Sequence, residues 1–247
     1  PGNAINELIK NDRIVGGLNK KSSELAQKFY SLFCKGDIKI SDHKTAELAK
    51  LTENSFRDVN IAFANELSII SSNLGINYKE LIKIANCHPR VNILTPSPGV
   101  GGHCIAVDPW FIVSRLPKES KLIKTAREVN KRKTIWVIEK IISICSDFQD
   151  KNNKKPKVGC FGLTFKPDVD DIRESSAIEI INKLIEKKID LLCCDPMVKA
   201  AENLRIESAN YLIEKCDIYI FLVAHTQFKS LNLNESKVID FCGISDQ

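Results

Sequence analysis

The chain has 247 residues, 43% hydrophobic and 27% charged, an ordinary globular balance that allows one or two domains with a real core. Its net charge of +5 comes from Lys and Arg spread along the chain, with a small cluster at 151–157, which argues against a nucleic-acid partner and suits an anionic small ligand. No apolar run reaches the ~18 to 20 residues that span a bilayer, the start has no signal-peptide pattern, and nine cysteines without paired spacing point to a reducing, cytoplasmic compartment rather than a disulfide framework.

The first forty residues predict a β-α-β tail: a strand at 13–17, an amphipathic helix at 22–33 and a strand at 37–40. A parallel sheet needs more strands than these, so the chain is expected to be the later part of a longer protein or to be cut just before Pro1. Asp42 is the expected N-cap of a long helix running to Leu74, with Gly75 as its stop. On it Lys50, Asn54 and Arg57 fall at i, i+4 and i+7 and share a face, and Asn54 and Asn65 signal polar contacts in an apolar helix. A second helix is expected at 78–87, a loop at 88–108 and a further long helix at 119–148.

The polar stretch 150–156 is the expected domain boundary. Beyond it, strands at 157–163, 189–194, 217–223 and 238–241 alternate with helical sequence at 175–187, the pattern of a small doubly wound parallel sheet. Ligands of such sheets sit at the carboxyl ends of the strands, which puts 164–173, Asp195 and 224–226 on the ligand side.

One loop carries the chemistry. In 96–109, Gly99, Gly101 and Gly102 allow a backbone to turn tightly around something small and polar, and they set Cys104 four residues before Asp108. Free cysteines are usually small buried hydrophobes, and Cys34, Cys145, Cys160, Cys193, Cys194 and Cys216 lie in apolar runs and are expected to pack. Cys104 has the surroundings of a reactive thiol instead. A hydrolase using Cys104 with His103 is disfavoured because adjacent residues on an extended loop point apart. A zinc site at His103, Cys104 and Asp108 has no supporting ligand spacing, so no metal is expected. Between the first strand and helix of the last unit, Lys166 and Arg173 place cations beside a helix N-terminus, a combination that favours phosphate.

Five segments in this order resemble the UDP-sugar dehydrogenase family: Pro1-Gly2-Asn3, the run from Lys44 to Asn54, His88-Pro89-Arg90-Val91-Asn92, Gly101-Gly102-His103-Cys104, and Phe165-Lys166 through Arg173. The resemblance implies an α/β protein in which 1–41 end an NAD-binding Rossmann domain, 42–150 form a central helical dimerisation and catalytic region, and 151–247 form a UDP-sugar-binding domain. It implies NAD as cofactor, a UDP-sugar substrate and a homodimer. Cys104 would be the nucleophile, Lys50 and Asn54 would hold an oxyanion and relay protons, and Asp108 would position water or the lysine. Arg57, His88 and Arg90 would grip sugar and pyrophosphate, Gly101, Phe165 and Lys166 would line the nucleotide-sugar site, and Arg173 would meet NAD. The sequence after Gly102 is most similar to the branch that oxidises UDP-N-acetyl-D-mannosamine, with the UDP-N-acetylglucosamine branch next. A non-catalytic nucleotide-sugar binding or dimerisation module is the reading from another class. Two departures stand out: no glycine-rich NAD fingerprint, which leaves the given chain expected to be inactive alone, and Cys242 where relatives tend to carry a basic residue.

Overall fold

The computed structural model describes residues 4–244, so Pro1-Gly2-Asn3 lies outside the described residues. The chain divides into two compact units, Pro1–Phe56 and Arg57–Gln247.

In the first unit, helix α1 (Ala4–Lys10) precedes strand β1 (Arg13–Gly17), helix α2 (Lys20–Tyr30) and strand β2 (Ile38–Asp42). The two strands pair in parallel from Arg13 opposite Ile38 to Gly17 opposite Asp42, the expected β-α-β. Helix α2 starts two residues earlier than its apolar pattern suggests, because the Asn19 side chain accepts from the Ser22 amide at 3.0 Å and caps it. Cys34, expected to pack, is only half-buried in the turn after α2, where its thiol points at the Asn11 carbonyl. Asp42 caps helix α3 (His43–Leu74) as expected: its Oδ1 accepts from the Lys44 and Thr45 amides at 2.9 and 3.1 Å. The Thr45 hydroxyl and amide hold the Asp42 carboxyl below its usual range.

The second unit continues with α4 (Tyr78–Ala85), α5 (Asp108–Arg115) and α6 (Lys121–Asn152). Helix α6 runs four residues past its expected end and absorbs Asp150, Lys151 and Asn152 from the polar stretch. A helix end in solvent tolerates polar side chains, and termination waits for Asn153 at φ 49°, a left-handed position that asparagine accepts. Four parallel strands follow, β3 (Val158–Phe161), β4 (Leu191–Cys194), β5 (Ile218–Phe221) and β6 (Val238–Asp240), in the order β4-β3-β5-β6, with α7 (Ser176–Glu186) after β3 and α8 (Ala209–Lys215) after β4.

Period-two alternation divides the core into two faces. Val158, Cys160, Ile218 and Ile220 pack with α6 and α7 through Val137, Ile141, Ile180 and Leu184. Phe161, Tyr219 and Phe221 face the other way, with Leu212 and Phe228. Both faces are covered, which is why these strands read as continuous apolar runs. Burial pushes the thiol of Cys145 up to about 11 and those of Cys193 and Cys194 up to about 12, so these cysteines are inert packing groups. From β3 the chain goes first to β4 on one side and then to β5 on the other. The carboxyl ends of β3 and β5 therefore flank a topological switch point.

Candidate active site around the glycine loop

A buried polar cluster fixes the start of the cysteine loop. Asp58 on α3 is fully buried and pairs with the Arg127 guanidinium on α6 at 2.5 Å, while Asn130 donates to the same carboxylate oxygen at 2.8 Å. Burial pushes the Asp58 carboxyl up, and Arg127 and Asn130 pull it back. Asn130 Oδ1 also accepts from the Asn65 side chain at 2.9 Å, and Asn65 Oδ1 accepts from the Ser97 amide at 2.8 Å. Thr134, one turn along α6, donates to the Pro98 carbonyl at 3.0 Å. The polar contact expected of Asn65 is thus a loop anchor.

Lys133 lies in the same helix pair, 2% exposed, donating to the Ser68 hydroxyl at 2.7 Å with its nitrogen 4.1 Å from the Trp136 ring centroid. The ring attracts the cation, but loss of water outweighs it, and burial pushes the lysine down to about 7. An unfolded chain keeps that amine near its ordinary 10.5, so between about pH 7 and 10.5 it binds more protons than the folded one, and stability rises with pH across that window. Lys133→Met is expected to remove most of this slope and to raise stability near pH 6 by about 1 to 3 kcal/mol. Denaturant titrations at pH 6 and 9.5 check this, and an unchanged slope contradicts it.

Beyond Pro98 the loop is built by close approach. A Cβ on Gly101 would stand 2.3 Å from the Glu174 carbonyl, and one on Gly102 would stand 2.9 Å from the Phe165 ring. Gly102 also sits at φ 84°, so no other residue fits there without strain. Cys104 follows and is exposed; its carbonyl accepts from the Asp108 amide at 2.8 Å, which puts the cysteine on the turn that opens α5. Asp108 is the first residue of that helix and partly buried.

Phe165 is held by its amide, which donates to the Asp171 carbonyl at 3.1 Å. The Asp171 side chain grips Arg173, with Nη2 to Oδ2 at 2.6 Å, and these bonds draw its carboxyl down to about 2. His103 lies within electrostatic reach of Asp171, and Cys104 within that of Arg173. Gly101, Cys104, Phe165 and Arg173 are therefore brought to one neighbourhood. Lys166 is exposed beside them, 5.7 Å from the Phe165 ring. His88 and Arg90 are exposed on the turn after α4, where His88 Nδ1 accepts from the Arg90 amide at 3.3 Å.

Lys50 and Asn54 belong to the first unit and lie one turn apart on α3, with the exposed Arg57 on the same face. The Lys50 ammonium is 3.3 Å from Glu53 and exposed, and Asn54 is buried. Cys242 is half-buried against the second core face, its amide donating to Asp240 at 3.0 Å. Among the described residues no cluster of His, Cys, Asp or Glu is arranged to hold a metal ion.

One residue escaped sequence reasoning. His225, within the 224–226 stretch at the switch point, is fully buried and bonded to Asp195, Thr164 and Asp168. Its signal was a histidine directly after an apolar strand, opposite the Asp195-Pro196 that ends another.

Known proteins resemble this chain in sequence and fold. Residues 44–132 match the central domain of the UDP-glucose/GDP-mannose dehydrogenase family, and residues 159–247 match its UDP binding domain. The chain is 48% identical to an NDP-N-acetyl-D-galactosaminuronic acid dehydrogenase of Ralstonia nicotianae over 99% of its own length and 58% of the relative's. It is 48% identical to a UDP-N-acetyl-D-mannosamine dehydrogenase of Campylobacter jejuni, covering 98% of this chain and 60% of that one. A UDP-D-ManNAc dehydrogenase structure from Pyrococcus horikoshii superposes with a TM-score of 0.86 at 36% identity, covering 99% of this chain and 59% of that one. The chain spans about three fifths of the length of these relatives.

Proposed function

Because the chain belongs to the UDP-glucose/GDP-mannose dehydrogenase family, we propose that the whole protein oxidises the C6 alcohol of UDP-N-acetyl-D-mannosamine to the uronate, with NAD as oxidant, in the synthesis of a surface polysaccharide. The observation that carries this reading is an exposed cysteine on a glycine loop seated on Phe165, the residue that opens the turn leading to the Asp171–Arg173 pair.

The first oxidation leaves an aldehyde at C6. Cys104 Sγ adds to that carbon, a C–S bond forms and the carbonyl oxygen takes a proton, giving a thiohemiacetal. The second oxidation removes hydride from the same carbon and leaves a thioester. Water then adds, the C–S bond breaks, and the carboxylate departs with the thiolate restored. NAD, when bound, accepts the hydride in each oxidation. Of the residues present, Arg173 fits an anionic dinucleotide.

Lys50 and Asn54, one turn apart, hold the developing oxyanion and pass its proton, and Asp108 orients the water or the lysine. Arg57, His88 and Arg90 offer charge to the sugar and pyrophosphate, while Gly101, Phe165 and Lys166 hold the nucleotide sugar. The matches at 44–132 and 159–247 fit a central region at 42–150 and a UDP-sugar domain at 151–247, and 1–41 is read as the end of the NAD domain. Phe56, Phe63 and Ile70, exposed at seven-residue spacing along α3, support a homodimer through that helix. Nine unpaired cysteines support a cytoplasmic setting.

The Ralstonia relative's name favours a second sugar, an N-acetylgalactosamine. A thermal-shift panel separates them. UDP-N-acetylmannosamine is expected to raise the melting temperature by a few degrees more than the UDP derivatives of N-acetylglucosamine, N-acetylgalactosamine and glucose. Equal shifts contradict the manno assignment.

A further inference from the structure

His225 occupies the switch point between β3 and β5 and is tied to both sides of it. Its Nδ1 lies 3.0 Å from the Asp168 amide, a group that only donates, so Nδ1 accepts and the ring proton sits on Nε2. Nε2–H then faces Asp195 Oδ2 at 3.0 Å and Thr164 Oγ1 at 3.1 Å. Burial opposes ionisation of Asp195, but His225 and the Leu163 and Met197 amides together hold its carboxyl below the usual range. It is a firm anion that keeps the imidazole in this tautomer.

The loop so held is closed from the other side. Asp168 stands at φ 57°, a left-handed backbone that a non-glycine residue adopts at a cost, and its carboxylate accepts from the Thr226 amide at 2.9 Å and the Thr226 hydroxyl at 2.6 Å. Thr164 donates to the Lys166 carbonyl at 2.9 Å, so both ends of the Thr164–Asp168 turn are bonded around the imidazole. That turn presents Phe165 and Lys166, and the Phe165 ring forms the floor under Gly102, two residues from Cys104.

We propose that His225 is a positioning residue, which by accepting the Asp168 amide fixes the turn carrying Phe165 and Lys166, and through Phe165 fixes the loop of Cys104. The assignment of this turn to a nucleotide sugar rests on the function proposed above; the mechanical link to the Cys104 loop does not.

Two variants separate the bonds of the ring. In His225→Gln an amide reaches the Nε2 position and keeps a donor for Asp195, but Asp168 loses its acceptor. In His225→Asn the side-chain oxygen falls near Nδ1, keeps the acceptor and gives up Asp195. The chain is titrated with UDP by calorimetry, and amide hydrogen exchange is followed for the peptides covering 99–104 and 164–168. His225→Gln is expected to weaken UDP about tenfold and to speed exchange in both peptides several-fold, with the melting temperature within a few degrees of the parent. His225→Asn is expected to stay within about threefold of the parent in both readouts. Equal effects of the two variants, or no change in the 99–104 peptide with His225→Gln, would overturn the proposal. If the parent binds no UDP, the nucleotide-sugar reading fails while the exchange data still decide the positioning role. Should His225→Gln not fold, Phe165→Leu reads the same link: unchanged exchange at 99–104 counts against it.

Discussion

Arg127→Met is expected to destabilise the second unit by about 3 to 5 kcal/mol at pH 7, a large share of the stability of an ordinary domain. The guanidinium and the Asp58 carboxylate lie 2.5 Å apart with side chains 4% and 1% exposed, so removing the cation strands a charge where no water reaches it. Asn130 still donates to Asp58, which offsets part of the loss. The deficit carries a pH signature. Burial already pushes the Asp58 carboxyl up, and without Arg127 its folded-state pKa rises further above the unfolded 3.8. A group of that kind binds its proton on folding, so the deficit shrinks as pH falls from 7 towards 4. Asp58→Asn combined with Arg127→Met removes both charges and is expected to recover at least half of the single-variant loss. Urea titrations of the parent and the two variants at pH 7 and 5 check this. A single-variant loss below about 1 kcal/mol, or one that grows at pH 5, would show that the pair does not hold the helices and the loop they anchor.

Cys104→Ala in the whole protein is expected to lower uronate formation by at least about a thousandfold while leaving UDP affinity within about threefold. The two numbers diverge because the proposed mechanism puts the thiol in the covalent steps and the nucleotide contacts on Phe165 and Lys166. Cys104→Ser is expected to fare little better. A hydroxyl is far less ionised than a thiol, and an ester is a poorer match than a thioester for hydrolysis by water. Cys145, Cys193 and Cys194 cannot substitute, since they are buried with thiols raised to about 11 or 12. Turnover and isothermal titration on the same preparations separate the readings. Retained turnover in Cys104→Ala removes the covalent mechanism, and a protein that binds UDP-sugar but never turns it over in either form is a binding module.

What the sequence disclosed follows from how strongly each element is patterned. The parallel strands of both units were legible because apolar runs bounded by polar turns have few other uses, and the Asp42 cap was legible because its carboxylate satisfies two amides. Helices α1, α5 and α8, of seven or eight residues, were not, since two turns carry little periodicity; α4, equally short, was read from 78–87. The extension of α6 was hidden because Asp150 to Asn152 look the same in a solvated helix end as in a linker. Of the site, the glycine loop and the Phe165 turn were visible as separate motifs. That Phe165 is the floor of the loop was not, because it depends on backbone approach at Gly101 and Gly102. The polar clusters at Asp58 and Arg127 and at His225 and Asp195 stayed hidden for another reason. Charged residues usually lie at the surface, and only tertiary pairing makes their burial tolerable.

The central claim is that Cys104 holds the intermediate between two oxidations of one carbon, and the stoichiometry of the whole protein tests it most directly. With UDP-N-acetylmannosamine limiting and NAD in excess, the reading predicts that two NADH form per sugar nucleotide consumed, with uronate and no free aldehyde. One NADH per sugar with aldehyde released would contradict it.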